Sequence, residues 1–219
     1  MLLAIDTSTS TISLALHDGN QVRVEHTWES PRRHTVELIP TLANSLQQLE
    51  CSARDLAGIA IATGPGSFTG LRAGMAVAKS LALARSLPLA GIPTLDIVAA
   101  AQEEEDRFLC AVLQAGRGRI CAATYRWRGK MWTATEEPEL TTWPALIENT
   151  IHPTTFCGEI DQTGKDALAS LGDLAVVTPG AARLRRAGYL AELGWRRLKQ
   201  NKVDDPATLT PVYLHYPVR

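Results

Sequence analysis

Gly64-Pro65-Gly66-Ser67-Phe68-Thr69-Gly70-Leu71-Arg72 is the stretch on which the fold turns. An apolar run, Ile59-Ala60-Ile61-Ala62-Thr63, leads into it and reads as a buried strand. An Ala-rich segment from Leu71 to Leu87 leads out and reads as a helix. Three glycines at a strand-to-helix junction let the backbone turn sharply and present amide N–H groups. Such a junction can cradle a phosphate at a helix N-terminus. It can equally be a tight turn with Ser67 or Thr69 as N-cap.

Outward from this junction, Leu2 to Ile5 is an apolar run that reads as a central strand. Ile12, Leu14 and Leu16 alternate with Ser13 and Ala15, Asp18-Gly19 is a hairpin signal, and Val22 and Val24 continue the alternation. Three antiparallel strands are therefore expected to open the chain. Arg33 to Glu50 reads as a helix with Leu38, Leu42, Leu46 and Leu49 on one stripe; Pro40 is tolerable near its start or kinks it. After helix 71–86, residues 87–93 read as a short strand between prolines, and Thr94 can cap a helix running to about Gln102. The acidic run Glu103-Glu104-Glu105-Asp106 reads as a domain boundary, dividing lobe 1–102 from a smaller lobe 103–219 whose last residues return to the first.

Strand signals restart at Phe108 to Leu113. Ile120 to Trp127 and Met131-Trp132-Thr133 complete a second three-stranded meander, its first turn at Gly116-Arg117-Gly118-Arg119. Segments 143–150, 164–171 and 181–200 read as helices, and 155–157 and 175–177 as short strands. Two halves that each open with a three-stranded meander predict a duplicated α/β domain.

With 45% hydrophobic and 21% charged residues, the 219-residue chain can bury an ordinary globular core. Its formal net charge of −1 exerts no global pull toward nucleic acid or membrane, so any RNA contact must be a local patch. Cys51, Cys110, Cys121 and Cys157 form no C-x-x-C pair and read as core or half-buried thiols in a reducing compartment. The start, Met1-Leu2-Leu3-Ala4-Ile5-Asp6, is too short and uncharged for a signal peptide, and no run approaches the ~20 apolar residues of a membrane span. A cytoplasmic protein is expected.

Helix 71–86 is apolar over most of its circumference, with Arg72, Lys79, Ser80, Arg85 and Ser86 as its few polar residues. Burial on two sides is implied. The helix is either sandwiched inside the monomer or packs one face on its own sheet and the other on a partner. Helix 33–50 is expected beside it, on the same sheet face. Small residues allow close approach of another helix.

Asp6, ending the first strand and followed by Thr7-Ser8-Thr9-Ser10, could hold a hydrated Mg²⁺ and phosphate, or accept hydrogen bonds within a turn. His17, His26, His34, His152 and His215 show no i, i+4 helical pair, so a histidine-based metal site is not predicted. Gly66-Ser67-Phe68-Thr69-Gly70 lacks the central Ser of a nucleophile elbow, and Ser67 has no identifiable His and Asp partners. His34 reads as a capping or core residue, or as part of an interface. In segment 181–200, Arg183, Arg186 and Arg197 can share a face that touches RNA phosphate or is simply solvated.

Ile5-Asp6-Thr7-Ser8-Thr9, His34-Thr35-x-x-Leu38-x-Pro40 and Gly64 through Arg72 together resemble the TsaB (YeaZ) family, and Pro211-Val212-Tyr213-Leu214 is similar to its C-terminal Pro-x-Tyr-Leu. The resemblance implies an actin-like, sugar-kinase-like ATPase fold: two α/β lobes with a duplicated mixed-sheet core. It implies a non-catalytic scaffold that activates a paralogue, TsaD, and works with it and an ATPase, TsaE. Together they install threonylcarbamoyladenosine next to the anticodon of tRNAs reading ANN codons. TsaD binds a metal through H-x-x-x-H; the corresponding stretch here, Pro93 to Ala100, has no histidine, and Asp96 and Ala100 stand about where the ligands would be. No catalytic or metal residue is therefore expected.

The resemblance further implies a homodimer when the protein is alone, docking to TsaD through the two helices identified above, and tRNA contact through the complex. His34, Leu38, Leu42, Leu71, Met75, Lys79 and Ala82 are the residues expected on the docking face. Asp6, Gly64, Gly66 and Ser67 are the candidates for a nucleotide site; no cofactor is expected to be required, and ATP or ADP binding is expected to be weak or partner-dependent. Many family members carry Asp-Ala-Arg where this chain reads Gln114-Ala115-Gly116-Arg117, a departure that puts any role of that Asp in doubt here. An autonomous nucleotide-dependent phosphotransferase or hydrolase of the sugar-kinase-like superfamily is the alternative, and a tRNA-binding module built on segment 181–200 a third.

Overall fold

The computed structural model describes residues 1–30 and 33–214, apart from the side chains of 34 and 35. Two compact units result, Met1–Ile97 with Arg186–Val212, and Val98–Arg185 with Tyr213 and Leu214. In the first unit the strands β1 (Leu2–Asp6), β2 (Thr11–His17), β3 (Val22–Glu29), β4 (Gly58–Gly64) and β5 (Leu89–Pro93) form one sheet in the order β3-β2-β1-β4-β5. The first three strands are antiparallel neighbours, and β1, β4 and β5 run parallel. Parallel neighbours need crossovers, which α1 (His34–Gln48) and α2 (Phe68–Arg85) supply.

Alternation along the strands sorts the core into two layers. Leu3, Ile5, Ile12, Leu14, Ile59 and Ile61 face α1 and α2, meeting Leu38, Leu42 and Leu46 of α1 and Met75, Ala78 and Ala82 of α2. Leu2, Ala4, Ala15, Ala60 and Ala62 face the other way, onto Leu190 and Ala191 of α6 (Ala187–Lys199). Pro40 sits in the second turn of α1 and does not interrupt it. The hairpin after β2 turns at Asp18, whose Oδ1 accepts from the amides of Asn20 and Gln21.

The second unit repeats the order. Strands β6 (Phe108–Gln114), β7 (Ile120–Arg128), β8 (Met131–Ala134), β10 (Thr154–Gly158) and β11 (Ala175–Val177) run β11-β10-β6-β7-β8, with the central strands paired in the same directions as in the first sheet. A short β9 (Glu139–Thr141), not foreseen from the sequence, also pairs with β7. Helices α3 (Thr94–Ala100), α4 (Trp143–Glu148) and α5 (Gln162–Ala169) complete the described elements. The thiols of Cys110, Cys121 and Cys157 are buried and Cys51 is half-buried, as expected.

Two sequence expectations need correction. Segment 181–200 is not one helix: a 3-10 turn over Gly180–Arg183 ends at an extended Leu184, and α6 begins at Ala187. The division 1–102 and 103–219 also places α6 in the wrong unit. Its apolar stripe packs on β1, β2, β4 and β5, so residues 186–212, more than a terminal tail, belong with the first sheet.

Candidate functional site

The Gly-rich loop is held by the turn after β1. Helix α2 starts at Phe68, three residues earlier than the Ala-rich run suggests, because Ser67 caps it: its Oγ accepts from the Gly70 amide at 3.3 Å. The Ser67 amide donates to the Ser8 carbonyl at 2.6 Å, and the Thr7 hydroxyl donates to the Gly70 carbonyl at 2.7 Å. Asp6 is fully buried, and its Oδ1 accepts from the Ser8 amide at 2.9 Å and the Ser8 hydroxyl at 2.5 Å.

The glycines serve this contact. A Cβ on Gly66 would lie 2.2 Å from the Ser8 carbonyl oxygen, and one on Gly70 2.2 Å from that of Thr7. Gly64 has φ +114, its Cβ position lies 2.3 Å from the Val212 oxygen, and the peptide bond to Pro65 is cis. Val212 in turn donates its amide to the Thr63 carbonyl at 2.7 Å. Asp6, Gly64, Gly66 and Ser67 thus lie at the same junction of the β1 turn and the Gly-rich loop. The amides of Ser67 and Gly70 are engaged by the chain itself. Of the two readings of this junction, the capped turn describes its hydrogen bonding.

The docking candidates separate. Leu38, Leu42, Leu71, Met75 and Ala82 are all buried in the first unit's own core, so they are not available to a partner. Lys79 donates from Nζ to the carbonyls of Ala207 and Leu209, clamping the segment that follows α6. His34 begins α1, and its side chain lies outside the described residues. The outer sides of the same helices carry different residues: Val36 is 62% exposed, Ile39 48%, Phe68 57% and Leu83 60%. Pro40, Ala43 and Ala76 are exposed beside them. Because α1 and α2 cover one face of the sheet with their buried sides, these side chains lie on the sides turned away from it. Arg72 lies over the Phe68 ring, 5.0 Å from its centre, as a cation among them. The leucine stripe of α1 was the available signal: it marks the inward side and leaves Val36, Ile39 and Ala43 opposite.

The arginines of 183–197 do not form a common face. Arg183 donates to the Ile160 carbonyl within the second unit. In the first unit, Arg186 binds the carboxylate of Glu25 and Arg197 donates to the Gly91 carbonyl. No group of three or more metal-ligating side chains occurs among the described residues, and no helix among them is long and apolar enough to cross a membrane.

Residues 28–214 match the TsaD family, described as tRNA N6-adenosine threonylcarbamoyltransferase. The chain is 28% identical over 217 residues to the tRNA threonylcarbamoyladenosine biosynthesis protein TsaB of Bacillus subtilis strain 168, covering 97% of this chain and 93% of that one. It is 34% identical over 147 residues to the protein of the same name from Escherichia coli K12, covering 64% and 63%. YeaZ from Pseudomonas aeruginosa superposes with a TM-score of 0.79 at 24% identity, over 97% of this chain and 99% of the other. The two lobes have the actin-like, sugar-kinase-like ATPase fold. The chain belongs to this TsaD-type family and, within it, to the TsaB (YeaZ) proteins.

Proposed function

We propose that this protein is a non-catalytic subunit in the biosynthesis of threonylcarbamoyladenosine in tRNA, acting by docking on a TsaD partner and favouring its active conformation. The observation that carries this reading is the outward surface of α1 and α2, where Val36, Ile39, Phe68 and Leu83 are each about half exposed or more. Large apolar side chains exposed on the outward sides of two helices that pack together mark an interaction face rather than a solvated one. The same surface would pair two copies when TsaD is absent. The names of the relatives supply the pathway, and the ATPase TsaE is the third member the reading includes.

The Gly-rich loop supports the same reading against an autonomous phosphotransferase. Its Ser67 and Gly70 amides are engaged by the chain's own oxygens, which supports a reading in which the isolated protein binds nucleotide weakly or only with its partner. Reconstitution tests this. The purified chain alone transfers no threonylcarbamoyl group to tRNA, and adding it to TsaD and TsaE with threonylcarbamoyl-adenylate restores transfer. Turnover by the chain alone would defeat the proposal, as would full activity of TsaD and TsaE without it.

A further inference from the structure

Helix α2 carries an unpaired cation inside its exposed apolar stripe. At about 100° per residue, Phe68, Arg72, Ala76 and Leu83 fall within about 80° of the helix circumference, with Arg72 between Phe68 and Leu83. All four are exposed. Arg72 lies over the Phe68 ring at 5.0 Å, which holds its stem along the stripe. Among the described residues Arg72 has no hydrogen-bond or ion-pair partner. Lys79, close to the same stripe, differs: its ammonium is engaged by the carbonyls of Ala207 and Leu209. While α2 is uncovered, water satisfies the Arg72 guanidinium. A partner that covers Phe68 and Leu83 removes that water, and an unpaired buried charge is costly, so the partner must supply an acceptor in its place.

A second copy of the chain cannot supply that acceptor from the same two helices. Helix α2 contains no Asp or Glu, and α1 contains only Glu37. Glu37 is already engaged: Arg33 pairs with its Oε1 at 3.3 Å, and the Trp28 indole donates to its Oε2 at 2.9 Å. Two copies meeting through α1 and α2 would bring two Arg72 guanidiniums into one interface, with no uncommitted carboxylate on either helix to receive them.

On the docking proposed above, we infer that Arg72 sets partner choice: it favours a TsaD partner that presents a carboxylate opposite α2 and disfavours a second copy of this chain. The planar guanidinium fork takes a carboxylate bidentately, and arginine is enriched among the residues that carry interface energy. Discrimination comes as much from the charge left unpaired in the wrong complex as from the pair made in the right one. Arg72→Met keeps an apolar stem and removes the charge. Because Arg72 is exposed, the variant should keep the wild-type melting temperature within a few degrees. Its affinity for TsaD, measured by calorimetry, should fall at least about tenfold. Its self-association, measured by sedimentation equilibrium, should stay at the wild-type value or tighten. Raising NaCl from about 50 to about 300 mM should weaken the wild-type complex with TsaD more steeply than the Arg72→Met complex. Leu83→Glu, measured alongside, tests the docking face itself. Wild-type TsaD affinity in Arg72→Met while Leu83→Glu is weakened, equal weakening of TsaD binding and self-association by Arg72→Met, or equal salt slopes would overturn the role of Arg72 and leave the docking face standing. Wild-type affinity in Leu83→Glu would overturn the docking face and the role of Arg72 with it.

Discussion

At the scale of single residues, Thr7 and Ser8 explain why the loop is glycine-rich. Their carbonyls approach the Cβ positions of Gly70 and Gly66 to 2.2 Å, closer than any side chain allows. Gly70→Ala must displace the β1–β2 turn, breaking the Thr7 hydroxyl bond to the Gly70 carbonyl. We expect a loss of about 1–3 kcal/mol in urea unfolding, the usual magnitude of overpacking. Leu83→Ala, a truncation on the exposed side of the same helix, creates no such clash and serves as the control. Unchanged stability of Gly70→Ala would mean that the turn and the loop are not packed as described. None of this contact could be read from the sequence. Asp6 and the glycines are legible as special residues, but whether a backbone amide meets a phosphate or a distant carbonyl of the same chain depends on tertiary approach.

At the scale of elements, the β2–β3 hairpin gives a prediction with a definite pH window. Asp18 accepts from the backbone amides of Gln21 and Asn20 and pairs with Arg23 at 3.2 Å. The Gln21 amide contributes most to lowering its pKa to about 2. A carboxylate lowered in the native state stabilises it above the unfolded value near 3.8, and that contribution is lost as pH falls through about 2. The melting-temperature gap between wild type and Asp18→Ala should therefore be constant above about pH 5 and narrow between about pH 4 and about pH 2. A gap that widens over that range would contradict the hydrogen bonding. The strands and their hairpins were legible because alternation and turn residues are local signals. The break at Leu184–Arg186 was not, since Arg183 is recruited by Ile160 and Arg186 by Glu25, both distant in sequence. Strand β9 has only three residues and no pattern of its own.

At the scale of the whole molecule, duplication was visible as two meanders, and the repeated strand order bears it out. The expected docking residues lie on the two helices that carry the exposed apolar surface, but on their inner sides. Leu38, Leu42, Leu71, Met75 and Ala82 are what the sheet requires, and what remains for a partner is Val36, Ile39, Phe68 and Leu83. Helix α2 reads as two-sided in sequence because one side serves the core and the other is an exposed apolar surface. The most direct test is the affinity of the chain for TsaD, measured by sedimentation or calorimetry, for wild type and for Ile39→Asp and Leu83→Glu. Both side chains are exposed, so the variants should keep the wild-type melting temperature within a few degrees. Each should lower affinity at least about tenfold, as loss of a buried apolar anchor does. Wild-type affinity in both variants, with the fold intact, would contradict docking through these side chains.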